Sequence, residues 1–321
     1  MRRSISTAGV VWLALSTAAS ISAQSPLPAS LAPSSGGAVR LGGYVQTRGT
    51  YQDHTGLSFA LNRVRLTADG YLGGGFGYKV QTELAVVSGG TAVVSLRDAL
   101  IRWSHGAFGL TAGQYKTPFS REYMTSITLT ETPDRAAAID SLSPKRDIGL
   151  SADYTLNSIG YATIGVFNGS GQNKATNPDT TLLVVGRVAV RPLSFFSLGA
   201  NFTTTRDSSR YGADFTAEYR GFGVKGEYVT LARDWQNSPD KGWYALATYR
   251  VLPWVQLVVR QEDFRRNASL THGYKNHATT GGVNLDFAAG KVKWAVDYLR
   301  RTLGNPGVTR GTIVTQLQAR F

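Results

Sequence analysis

From residue 39 to its end the chain repeats one pattern: polar and apolar residues alternate with a period of two. In Leu61 to Tyr71, Arg63, Arg65, Thr67 and Asp69 alternate with Val64, Leu66 and Ala68. In Gly212 to Arg220, Asp214, Thr216, Glu218 and Arg220 alternate with Phe215, Ala217 and Tyr219; in Gly290 to Leu299 the apolar set is Val292, Trp294, Val296 and Tyr298. Side chains of a strand point alternately to its two faces, so each such segment is a strand with one wet and one greasy side. Sixteen of them can be placed, centred near residues 45, 66, 81, 98, 111, 150, 163, 186, 200, 215, 228, 246, 259, 282, 296 and 315. Their connections alternate between tight turns (Gly73-Gly74-Gly75, Asn157-Ser158, Leu252-Pro253) and longer polar loops, of which Thr117 to Pro144 is the longest. An even number of strands with short turns on one side and loops on the other is an up-and-down meander that closes on itself. The predicted fold is all-β, a 16-stranded antiparallel transmembrane β-barrel, since closure satisfies every backbone donor and acceptor, as lipid requires.

A soluble sandwich or propeller would also alternate. It would not explain aromatic residues gathered near strand ends, among them Tyr44, Tyr51, Phe76, Trp103, Phe108, Tyr154, Tyr161, Trp243, Tyr249, Trp254 and Trp294. Such residues suit two interfacial girdles. The last strand carries Ile313, Thr315, Leu317, Ala319 and a terminal Phe321 on one face, resembling the C-terminal signature of bacterial outer-membrane proteins. At the other end, Met1-Arg2-Arg3, an apolar stretch to Ala19 and the small residues up to Ala23 have the layout of a secretory signal peptide, expected at 1–23. Residues 24–38, rich in Pro, Ser and Gly, read as a flexible periplasmic linker, and 39–321 as the barrel. With no cysteine in 321 residues, disulfides, Cys-ligated metals and thiol nucleophiles are excluded.

Two stretches carry a family resemblance: Phe59-Ala60-Leu61-Asn62-Arg63-Val64-Arg65-Leu66, and Gly113-Gln114-Tyr115-Lys116-Thr117-Pro118-Phe119-Ser120-Arg121-Glu122. With Arg146-Asp147-Ile148-Gly149, they resemble motifs of the phosphate-selective porin O/P family. The specific motifs lie in residues 59 to 149; the second half matches in strand rhythm. The resemblance implies a sixteen-stranded bacterial outer-membrane porin for small anions, phosphate or polyphosphate among the candidates. It also implies a homotrimer, and a long loop between strands 5 and 6 that folds inward to narrow the channel. Outer-membrane lipid and small anions are then the expected partners, with no nucleic acid, cofactor, metal or catalytic residue.

The charges bear on selectivity. Loss of the leader with Arg2 and Arg3 reduces the formal +13 to about +11, a basic excess that favours anions where it lines a pore. Alternation puts Arg40, Arg48, Arg63, Arg65, Lys79, Arg187 and Arg250 inward, together with Asp69, Glu83, Asp214, Glu218, Glu227 and Glu262. In strand 4, an outward Ile101 and Trp103 would carry Arg97 outward as well, to an interface or a subunit contact. The long loop is nearly neutral by count, so basic and acidic walls facing each other and a modest anion preference are expected. The residues assigned to the constriction are Lys116, Arg121, Arg63, Arg65, Arg135 and Arg146. For any one of them the plainer alternative is a solvated side chain paired with an acid. Two other functions compete with a pore. A rim enzyme would need a nucleophile and base on neighbouring strands, and His54, His105, His272 and His277, all expected in loops or a turn, offer no such constellation; His272 and His277 would share one loop. A surface adhesin would work through its loops, which apart from Thr117 to Pro144 are short.

Overall fold

The computed structural model describes residues 38–86, 92–177, 180–266, 274–304 and 307–321. The expected leader, and all but the last residue of the expected linker, lie outside them. Sixteen strands form one closed barrel in which each pairs antiparallel with its neighbours in sequence and β1 meets β16. The strands are β1 (Arg40–Gln52), β2 (Gly56–Gly73), β3 (Phe76–Val86), β4 (Ala92–His105), β5 (Phe108–Lys116), β6 (Arg146–Leu156), β7 (Gly160–Phe167) and β8 (Leu183–Leu193). They continue as β9 (Phe196–Thr204), β10 (Ser208–Tyr219), β11 (Phe222–Arg233), β12 (Asp240–Leu252), β13 (Val255–Arg266), β14 (Tyr274–Phe287), β15 (Val292–Gly304) and β16 (Gly307–Arg320). The long connection between β5 and β6 holds two short helices, α1 (Arg121–Met124) and α2 (Ala137–Leu142).

Closure depends on the two chain ends. Gly43 and Phe321 exchange backbone hydrogen bonds, N–H to O at 3.0 and 3.1 Å. A Cβ at Gly43 would stand 2.4 Å from the Arg65 carbonyl oxygen and 2.8 Å from the Phe321 ring, so only glycine lets β1 lie under the terminal aromatic.

The outer face is greasy, with Phe59, Leu61, Ile101, Leu150, Ile164 and Val259 all more than half exposed. Exposed aromatics band its ends, Phe76, Phe108, Tyr219, Phe222 and Trp254 toward the tight turns and Tyr51, Tyr211 and Trp243 toward the loops. Tyr44 and Tyr161 are not part of that band: both are buried and point into the lumen, under the Arg65 guanidinium (5.7 Å from the ring centre) and against Arg187 Nε (2.9 Å) respectively. An aromatic near a strand end joins the girdle only if its parity is outward, and theirs is inward.

Two bulges shift that parity. Between Gln46 and Thr47 of β1 the β2 register skips Asn62, and between Gln81 and Thr82 of β3 the β4 register skips Arg97. Each extra residue turns its side chain inward. Arg97, which an outward Ile101 would have carried outside by strict alternation, therefore faces the lumen, where it bonds Glu83. His277 lies in β14, not in a loop shared with His272, which is outside the described residues.

Candidate pore constriction

The β5–β6 connection enters the barrel and fastens mainly to the wall formed by β10–β16. Its first helix is too short to satisfy its own ends. Ser120 Oγ accepts the Tyr123 N–H (3.0 Å), and the Glu227 carboxylate on β11 accepts the N–H groups of Arg121 and Glu122, both at 3.1 Å. At the other end, Lys116 Nζ donates to the carbonyls of Met124 (3.1 Å) and Thr125 (3.0 Å), and Arg135 Nη2 donates to the same Thr125 carbonyl (3.0 Å). Cations placed there complement the negative end of the helix. Helix α2 packs Ala138, Ile139 and Leu142 into an apolar cluster with Val229, Leu231, Leu246 and Phe264 of β11–β13. The fit is close enough that a Cβ on Gly242 would lie 2.5 Å from that of Ala138.

Between the helices the chain is tied down by its carbonyls. Gln318 Nε2 donates to Thr128 O (3.1 Å), Lys293 Nζ to Thr130 O (2.7 Å), Asn284 Nδ2 to Glu131 O (2.7 Å) and Arg260 Nη1 to Asp134 O (2.8 Å). Glu131 pairs with Lys225. Burial pushes the Glu131 carboxyl up, but the Lys225 ammonium outweighs it and holds the group below its ordinary value. Glu122 lacks so close a cation; burial dominates and raises it, against the pull of Arg260 and Arg135.

The opposite wall, β1–β4, is built on a different rule. Glu83 is gripped by Arg65 and by Arg97, the latter at 2.7 Å. Asp98 sits between Lys79 (3.0 Å) and Arg146 (2.7 Å). Asp134, on the loop, takes two bonds from Arg48 (both 2.9 Å) and has Arg63 at 3.7 Å. Six cations thus share three carboxylates, an excess of three positive charges along one side of the lumen. Burial raises Asp134, but Arg48 and then Arg63 more than reverse this and keep it ionised below its ordinary value. Tyr123 faces the same patch, with Lys116 and Arg135 over its ring at 5.6 and 5.1 Å. Its hydroxyl is raised by burial and opposed by the charges of Arg146, Arg135 and Arg97.

Of the residues assigned from sequence, Arg63, Arg65, Arg135 and Arg146 come together around this patch, with Lys116 half-buried against Tyr123. Arg121 does not join them. It lies across the lumen, its Nη2 donating to the Tyr244 hydroxyl (2.7 Å) and its Nε 3.6 Å from Asp214, which Arg187 also binds at 2.6 Å. Sequence reasoning missed Arg97, hidden by the bulge, and the pairing of Arg48 with Asp134 across 86 residues. Inward parity had already marked Arg48 and Lys79.

Residues 42–195 match the family profile described as phosphate-selective porin O and P. The match runs from β1 into the turn after β8, and with the closed barrel it makes the chain an outer-membrane porin. The porin is 30% identical over 99 residues to an uncharacterized protein of Caulobacter vibrioides, a match spanning 31% of this chain and 19% of that relative's length. Solved structures share its fold: an OmpT loop-deletion mutant of Vibrio cholerae (TM-score 0.68, 12% identity, 88% of this chain and 99% of the other) and an anion-selective porin from Comamonas acidovorans (0.65, 13%, 88% and 99%). The outer membrane channel DcaP of Acinetobacter baumannii is a third (0.63, 12%, 91% and 99%). Its profile match and its barrel both place the porin in the outer membrane.

Proposed function

We propose that the porin is a passive, anion-preferring diffusion channel, and that its selectivity filter is the β1–β4 wall with the facing edge of the β5–β6 loop. The observation that carries this reading is the ratio of two cations to each of Glu83, Asp98 and Asp134. Each carboxylate holds its two cations in place without cancelling them, so the wall stays positive yet ordered. An anion entering the narrowed lumen exchanges part of its hydration for Arg63, Arg97 and Arg135 and leaves again because no single site encloses it. Arg65 and Arg146 set the field from behind, while Lys116 and Arg121 position the loop.

In this reading the leader at 1–23 is removed on export, 24–38 links to the barrel in the periplasm, and three copies assemble. An OmpT structure of Vibrio cholerae described as a trimer form, at 12% identity and TM-score 0.67, supports the last point by analogy of fold. Inorganic phosphate and short polyphosphates are the permeants the excess charge would favour most over chloride. The test is planar-bilayer conductance of the refolded protein with phosphate titrated into chloride. Discrete steps whose current phosphate reduces at millimolar levels support the reading. Folded barrels that give no steps overturn it.

A further inference from the structure

The outward faces of the sixteen strands are almost free of charge. Among the described residues, Asp, Glu, Lys or Arg stand on outward positions only at Lys241, Asp263, Arg265, Lys275 and Arg300, apart from Lys116 and Arg146, where β5 and β6 bend into the lumen. All five lie on four consecutive strands, β12–β15, in their loop-side halves. Lys241, Arg265 and Lys275 are direct cross-strand partners, one opposite the next. Like charges so placed repel unless a counter-charge joins them. Asp263 supplies one, bonding Arg265 at 2.9 Å with His277 at 3.6 Å on its other oxygen.

The height of the patch is fixed by register. Asp263 pairs with the girdle residue Trp243, and His277 and Thr302 continue that row, so the three basic residues stand two positions beyond the aromatic belt. Arg300 stands two positions on the membrane side of Thr302, exposed and without a hydrogen-bond or ion-pair partner among the described residues. Its cross-strand neighbours are Thr279 and Gly311, which offer it no charge. Below them, Gly281 lies between Val259 and Tyr298 with nothing within 4 Å of where its Cβ would be, leaving a notch in the outer face.

We infer that this patch binds the phosphorylated headgroup of an outer-leaflet lipid, whose acyl chain passes over the notch at Gly281. A phosphate at the belt answers the row of three cations and gives Arg300 a bidentate partner at the depth where an unpaired guanidinium is costly. A second copy of this chain is a poorer occupant, because no acidic residue stands outward elsewhere on the described barrel to match the patch.

Native mass spectrometry of the detergent-extracted porin, titrated with bis-phosphorylated lipid A and with the same lipid stripped of its phosphates, tests this. The wild type should retain the phosphorylated form preferentially. R300Q/K275Q should weaken that preference by about 25-fold, at roughly fivefold per cation near the membrane surface, and R300K should keep most of it. Equal retention of the two lipids by the wild type overturns the inference, as does an unchanged preference in folded R300Q/K275Q. A variant that dissociates into monomers while its lipid preference stays intact also overturns it and makes the patch a contact between copies.

Discussion

The two sides of the lumen use the same residue types for opposite ends. On the β10–β13 side, charges are buried and spent on the loop: Glu227 accepts two helix N–H groups, Lys225 matches Glu131, and Arg121 reaches Tyr244. On the β1–β4 side, Glu83, Asp98 and Asp134 are each outnumbered two to one, and the side chains of Arg63 and Arg97 keep about a quarter of their surface open (21% and 27%). A fixed charge holds a loop when its partners are complete, and it attracts a passing ion when they are not. Counting charges along the loop misses this, since Arg135 and Glu122 cancel in a tally but point to different tasks.

The comparison can be broken most forcefully on the anchoring side. Glu227→Ala leaves two buried N–H groups of α1 unsatisfied, costing on the order of 3 kcal/mol of loop docking. Protease cleavage within residues 117–144 of the folded barrel should rise by roughly a hundredfold, with single-channel current turning noisy; a silent variant would mean the loop is held elsewhere. Gly242→Val should act the same way more weakly, because its side chain meets Ala138 and pushes α2 off the wall.

On the selectivity side, Glu83→Gln frees Arg65 and Arg97 from their shared acid, so the preference for chloride over potassium should rise, most visibly in dilute salt. Acidification separates the two roles. Glu122 has its carboxyl raised above 4.5, so its ionised form costs stability at neutral pH, and that cost is relieved as pH falls through the raised value. Asp134 and Glu131 are depressed; their contribution is complete above the unfolded values of 3.8 and 4.5 and is lost only as pH falls through the lower, folded ones. Anion preference should therefore increase first, with quiet channels, and current noise should appear only at a lower pH. The reverse order would contradict the assignment of these three acids.

Strand number, the long fifth connection and most inward positions were legible from alternation alone, because period two is imposed by the backbone. Bulges are not: nothing in the residues around Arg97 distinguishes a strand that slips by one, and the slip moves a guanidinium from lipid to lumen. The candidate site was half legible. Arg63 and Arg65 follow from parity, but whether Arg121 lines the pore or bolts down the loop depends on where a 28-residue connection lands, and that is set by partners such as Glu227 and Tyr244 more than 100 positions away. The outward basic row was visible residue by residue, yet its meaning required knowing that Lys241, Arg265 and Lys275 share one register.

The central claim is that the β1–β4 excess sets selectivity. It is tested most directly by the reversal potential of single channels in a potassium chloride gradient, for the wild type and for R63Q/R65Q/R97Q. Those three changes remove the excess while leaving Glu227, Tyr244 and the loop's own carbonyl contacts in place. The account predicts a wild-type potential on the anion side and a variant at zero or on the cation side. A variant whose potential matches the wild type would contradict it.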